Sequence, residues 1–338
     1  MNASILRGIT IRKALPVVIV AALALFVIPG FLAPFWVKVL TQATYYSIIA
    51  GGLVLLYGRV GLASLGQVAL SGVGAWVFAR LYYATHLPTP VLLLLAGVVA
   101  AVVGLGLGLP ALRLSGLYLS LATLMMAAAV GIFISVLKFP NGGPGFSGIV
   151  KDQSQRKLIP RPSIAIGDTA FFRFCIVVAA LMFGLYVLHL VTKPGRAWAS
   201  IAQSEASALA AGVNITVYKL WSFVLVSFAT GVAGGLLACD VGSLSAANFP
   251  PQESLILMAV VLMAGYHSLW GGLVAALLAR LLPELLKNDD SVVGWIIQRF
   301  YGSWKGVSAT IGLILFGIGL LANLSGSTKA MKKKGLIS

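Results

Sequence analysis

Acidic residues are scarce in this chain. Eight Asp and Glu stand against 24 Lys and Arg in 338 positions, and histidine occurs three times. So thin a supply leaves no paired carboxylates, no metal-ligand cluster and no nucleophile–base set, which argues against an enzyme. A transporter driven by protons or sodium needs ionisable groups within its spans. The chief one here is Glu284, with Arg280 one helical turn away for pairing. Two cysteines, Cys175 and Cys239, fall near the outer ends of apolar runs, where they form either one disulfide or two small apolar fillers. No G-x-x-x-x-G-K-S/T stretch occurs, so the chain is not expected to hydrolyse ATP itself. The glycines at 104–108 lie inside an apolar run and have no lysine partner.

Charge of either sign is short as well. Only 9% of residues are charged and 59% are hydrophobic, whereas a soluble domain carries about 25% charged residues. The chain therefore belongs in lipid, where a spanning helix needs about 20 mostly apolar residues. Expected spans are 14–34, 38–57, 66–84, 90–109, 116–137, 170–191, 219–239, 253–268, 270–286 and 306–323, about ten in all. The pair at 253–286 is the least regular, since its second half holds Arg280, Pro283 and Glu284. The first run is too long for a signal peptide and no small-x-small site follows it cleanly, so it reads as an uncleaved span.

What is abundant is positive charge and glycine. The net charge of +16 would suggest nucleic acid in a soluble protein. No basic, aromatic-interleaved segment stands clear of the apolar runs, so the charge is assigned to loops facing anionic headgroups and nucleic acid is excluded. Basic clusters at both ends (Arg7, Arg12, Lys13 and Lys329, Lys332, Lys333, Lys334) place both termini in the cytoplasm when the span count is even. The loop at 139–169 then lies outside although it carries Lys151, Arg156, Lys157 and Arg161. Many of the 38 glycines fall within spans, which suits closely packed helices. The whole of 1–338 reads as one all-α polytopic membrane domain. At 287–305, mixed aromatic and charged residues suit a helix lying in the headgroup layer.

Five segments carry more than hydropathy. GRAWASIAQSEASALAAGVNITVYK, 195–219, is a polar interlude between two spans. Its alanines favour one small helix and Gly212 supplies the stop. GRVGLASLGQVALSGVGAW, 58–76, sets Ser64 and Gln67 at the start of a span, either as a capped tight turn or as the lining of a path. In 110–126, Ser120 and Thr123 share a helical face; their hydroxyls either line a path or bond back to their own helix. NGGPGFSG, 141–148, with Asn141, Gly142 and Gly143, reads as a turn and lacks the Gly-Lys-Ser/Thr of a phosphate loop. The last segment, 253–284, holds Ser268 and His267 at the break between two spans, with His267 as a hydrogen-bonded turn residue.

Together, in this order, these segments resemble the branched-chain amino-acid permease family of ABC importers (LivM-like). The first is similar to its ATPase-coupling segment through Gly195-Arg196-Ala197, Glu205, Ala208, Gly212, Asn214 and Tyr218-Lys219. The second resembles G-x-x-S-L-G-H/Q, and the third matches through Arg113, Gly116, Tyr118, Ser120, Thr123 and Leu124. The resemblance covers most of 45–285 and implies a bundle of the ABC-importer permease type in the bacterial inner membrane. It implies a permease subunit forming half of a translocation path for a small, branched-chain amino acid. The implied partners are two ATP-binding subunits, a second homologous permease and a periplasmic substrate-binding protein, with ATP and Mg bound by the ATPases and no cofactor in this chain. ATPase coupling falls to Gln203, Ser204, Glu205, Ala208 and Gly212. The path falls to Ser64, Gln67, Ser120, Thr123, Asn141, Gly142, Gly143 and Ser268. The chain departs from the pattern at Ala199 and Ala202, where the family carries basic residues, and at Asn141 and His267, where it carries threonine and glycine. The alternative reading is an ion-coupled secondary transporter of a small solute.

Overall fold

Apolar runs punctuated by glycine and proline fold as helices throughout the described residues, and no strand occurs among them. The computed structural model describes residues 32–287 apart from 112–113, 115, 144–146 and 151–156. Residues 14–31 of the first expected span, the interfacial stretch beyond 287, the span at 306–323 and both terminal basic clusters lie outside the described residues. The long helices are α1 (Pro34–Leu55), α2 (Gln67–Ala84), α3 (Thr89–Ala111), α4 (Gly116–Leu137) and α5 (Asp168–Val191). Two short ones follow, α6 (Lys193–Gln203) and α7 (Glu205–Ala210), then α8 (Ile215–Val241), α9 (Pro251–Ala264) and α10 (Leu269–Lys287). Proline at the first turn starts α1 and α9, where a missing N–H costs nothing. Asn214 starts α8, its Oδ1 accepting from the Val217 N–H at 3.2 Å. α1 runs on into a π-helical turn, Leu56–Val60.

Among the described residues six helical stretches are long and apolar enough to cross a membrane: Pro34–Val60, Thr89–Leu109, Tyr118–Leu137, Asp168–Val191, Ile215–Val241 and Ala246–Ala264. α2 and α10 are helical where spans were expected, but more polar.

α8 is the axis of the bundle. It packs along α2 and α3 and also against α1, while α10 lies along α1. Its glycines set the spacing. A Cβ on Gly74 of α2 would overlap the Gly231 carbonyl, one on Gly234 would overlap the Ser71 carbonyl, and one on Gly231 would strike Ala100 of α3. Backbones therefore touch where three helices cross, which is how helices associate when lipid tails offer no hydrophobic reward. The outer faces of α3, α4 and α5 expose Val98, Val102, Leu121, Met125, Phe133, Val136 and Leu181. So broad an apolar surface suits lipid or a partner subunit, not water.

Overpacking this crossing should be costly. Gly74→Val is expected to destabilise the bundle by about 3 kcal/mol or more. Gly106→Ala, at a helical site with no atom within 4 Å of the new methyl, should be neutral or stabilising by up to about 1 kcal/mol. Thermal unfolding of both variants in detergent checks the contrast; equal melting temperatures would contradict the packing.

Candidate functional site

Between α5 and α8 the chain makes an elbow from α6 and α7. α6 buries Ala197, Trp198 and Ile201 on one face and exposes Lys193, Arg196, Ala199, Ala202 and Gln203. The Trp198 indole is fully enclosed and its Nε1 donates to the Tyr218 carbonyl at the first turn of α8, 2.8 Å away. The expected single helix is divided: Ser204 is extended (φ −163°, ψ 122°) and caps the second piece, its Oγ accepting from the Ser207 N–H at 3.3 Å. A serine side chain that bonds the backbone competes with helix continuation, which explains the break among helix-forming alanines. α7 exposes every residue except Ala208, and Gly212 ends it with φ +76°.

A second tie joins the elbow to the axis. Lys219 of α8 is buried, and its Nζ lies 2.7 Å from Glu205 Oε1. The Glu205 side chain is 54% exposed, so one carboxylate is anchored inward and still presented outward. Beside it is a groove of about 550 Å³ lined by Glu205, Leu209, Gly212, Asn214, Thr216 and Lys219. Of the expected coupling residues, Glu205 and Gly212 line this groove, Ala208 packs inward, Ser204 is a cap, and Gln203 ends α6 in the open. α7 is thus tied to α8 through Lys219, and α6 through Trp198.

The expected path residues fall into three places. Ser64, Gln67 and Thr123 are buried together and bonded to one another's segments. Thr230 of α8 donates to Gln67 Oε1 at 3.0 Å, Gln67 Nε2 donates to Ser64 Oγ at 3.3 Å, and the Leu65 N–H donates to Thr123 Oγ1 at 2.9 Å. Ser254 Oγ accepts from the Val68 N–H at 3.3 Å. Ser120 reaches the Ala63 carbonyl at 3.4 Å. Thr123 and Ser120 thereby give partners to the Leu65 N–H and the Ala63 carbonyl of the non-helical stretch 61–66, as a membrane interior requires of exposed backbone. Asn141, Gly142 and Gly143 lie apart in the long loop, where Asn141 clasps Val150 through both its N–H and its carbonyl. Asn141 also lines a cavity of about 490 Å³ with Lys138, Lys157, Ser135 and Ser245. Ser268 sits in the turn before α10, its Oγ accepting from the Trp270 N–H.

Ionisable side chains inside the bundle meet partners remote in sequence. Arg280, expected beside Glu284, donates to Glu253 of α9 and lies 3.5 Å from the centre of the Tyr46 ring. The Tyr46 hydroxyl donates to the other Glu253 oxygen at 3.0 Å. Asp240, near the end of α8, accepts from the Tyr45 hydroxyl at 3.3 Å and has Arg161 of the long loop 4.0 Å away. The readable signal was each charge's presence within an apolar run, since such a residue is expensive there and needs a partner. Cys175 and Cys239 are both buried and free, so the filler reading holds and no disulfide forms.

Comparison with known proteins adds a lineage to this geometry. Residues 35–322 match the family described as the branched-chain amino acid transport system / permease component. The chain is 30% identical over 270 residues to the high-affinity branched-chain amino acid transport system permease protein LivM of Salmonella typhimurium, covering 75% of this chain and 64% of that protein. It is 29% identical over 299 residues to LivM of Escherichia coli, covering 83% of this chain and 70% of the relative. The chain thus spans less than two thirds of the Salmonella relative. No solved structure matches it at a significant level.

The two readings of Thr123 part at a single hydroxyl. Thr123→Val leaves the buried Leu65 N–H without an acceptor and should cost about 1–3 kcal/mol, whereas Thr123→Ser keeps the bond. Detergent melting curves check this. A Thr123→Val protein that melts normally but transports poorly would assign the residue to the path instead.

Proposed function

The chain belongs to the branched-chain amino acid transport permease family, and from that premise we propose that it is the membrane subunit of an ATP-driven importer of a small amino acid, branched-chain in the first instance. It is a multi-pass membrane protein. In the proposed assembly it spans the bacterial inner membrane about ten times with both termini cytoplasmic. It pairs with a second homologous permease, two ATP-binding subunits that hold ATP and Mg, and a periplasmic binding protein that delivers the solute. This chain catalyses no reaction; nothing in its sequence supplies a nucleotide site.

The observation that carries the proposal is the elbow. α7 is exposed on nearly all sides yet fastened to the central helix at Lys219. That is the arrangement a transmission element needs: a docking face for a soluble motor and a stiff link to what must move. Closure of the ATPase pair would push α7, turn α8 against α2 and α3, and bias the bundle between its two openings, as any ligand-driven two-state element is biased. Ala199 and Ala202 stand where the family carries basic residues, and the exposed cations of α6 are Lys193 and Arg196, so shape and Glu205 carry more of the contact. The ion-coupled alternative has the buried Asp240 and the partly buried Glu253 in its favour. Against it, each carboxylate already has an arginine beside it and a tyrosine hydroxyl bonded to it.

Uptake into proteoliposomes holding the complete complex should require ATP on the face that carries the elbow and survive a protonophore. Uptake without nucleotide, abolished by a protonophore, would establish the alternative. Glu205→Lys should leave membrane insertion intact and uncouple ATP turnover from uptake. It removes a link worth between the ~1 kcal/mol of an exposed pair and the ~3 kcal/mol of a buried one, and sets two ammonium groups together. The charge exchange Glu205→Lys with Lys219→Glu should restore part of the uptake. Unchanged uptake in the single variant would count against the elbow.

A further inference from the structure

A cavity of about 260 Å³ opens beside the Glu253–Arg280 pair, between α1, the end of α8 and the start of α9. Gln42, Tyr46, Glu253 and Arg280 form one wall, and Leu237 and Val241 stand on another. Tyr46 and Arg280 stand well inside α1 and α10, while Val241 is the last residue of α8 and Ala247, Asn248 and Pro250 of the connection to α9 also line the cavity.

A bare structural staple accounts poorly for this pair. An apolar contact would join α9 to α10 without the desolvation that two ions suffer. The bonds formed within the described residues also leave capacity over. Arg280 has five N–H donors and Glu253 four lone-pair positions, and each uses few of them. The remainder borders the cavity. A cation and an anion side by side form a dipole, and the ligand that answers it is a second dipole laid antiparallel, with an acid group against Arg280 and an ammonium against Glu253. The space is smaller than the roughly 300–1,000 Å³ that drug-sized ligands occupy, and the Leu237–Val241 wall asks for a short aliphatic group.

We propose that this cavity is a binding site for the zwitterionic head of an aliphatic α-amino acid, with Arg280 receiving the carboxylate, Glu253 the ammonium, and Leu237 and Val241 the side chain. The inference rests on the importer reading and gives this subunit a share in substrate choice. Phosphatidylethanolamine carries a similar pair of charges, so the test must separate free solute from lipid headgroup.

The complete complex, without binding protein or nucleotide, is placed in nanodiscs of phosphatidylcholine alone, and equilibrium binding of radiolabelled L-leucine is measured. Leucine should bind. 4-Methylpentanoate, which lacks the ammonium, and 3-methylbutylamine, which lacks the carboxylate, should compete at least tenfold more weakly than unlabelled leucine. Glu253→Gln and Arg280→Gln should each weaken binding tenfold or more. Val241→Trp, which fills the space and leaves both charges in place, should abolish it with little change in melting temperature. The proposal is overturned if all three variants bind leucine normally, if either singly charged analogue competes equally, or if leucine is displaced by phosphatidylethanolamine at bilayer fractions where it should not reach the site. Wild-type complex that imports leucine under ATP yet shows no binding here also overturns it, and leaves the importer reading intact. Complex that binds leucine in the expected pattern but imports nothing upholds the site and refutes the importer.

Discussion

The bundle depends on backbone contact along α8. Gly231 and Gly234 let this helix lie directly on α2 and α3, with carbonyl and Cα atoms where side chains would ordinarily stand. In water such a crossing would be one contribution among many. In lipid, where apolar side chains gain nothing by leaving apolar tails, close packing is most of what holds helices together. The polar bonds inside the bundle follow from it. Thr230 can reach Gln67 because α8 and α2 touch, and the non-helical stretch before α2 finds its partners because α4 and α9 are held near.

In the proposed mechanism the same tightness matters for motion: a helix packed backbone to backbone would move as a rod when its end is displaced. Trp198 and Lys219 both attach at the first turns of α8, one by a neutral hydrogen bond and one by an ion pair. The π-helical turn after α1 also meets the elbow and α8, and π-turns are frequent at functional places. The end of the bundle that carries the elbow is therefore a junction of α1, α6 and α8, with α7 as its exposed extension.

The sequence showed the class of protein and most helices because both follow from long apolar runs. It also marked the elbow, through a polar interlude stopped by Gly212. It did not show the division at Ser204, because a run of alanines hides a local contest between one hydroxyl and the helix backbone. It presented Ser64, Gln67 and Thr123 as polar groups in a span and left their direction open; packing turned them toward the backbone of 61–66 and one another. Arg280 was matched with Glu284 by helical spacing, whereas its bond to Glu253 lies between helices and no periodicity reveals it. Asp240 went unremarked for the same reason: its partners, Tyr45 and Arg161, are remote in sequence.

The Glu253–Arg280 bond has a consequence for how the chain enters the bilayer. α9 alone would carry an unpaired carboxylate in its first turn and α10 an unpaired guanidinium within its length, and a charge such as Arg280 costs about 2.5–3.5 kcal/mol at a helix centre on insertion scales. The short turn 265–268 joins the two helices, close enough for the opposite charges to cancel before either is committed. The two should therefore leave the translocon as a neutral hairpin rather than one after the other, and the ribosome must have made both before either can settle.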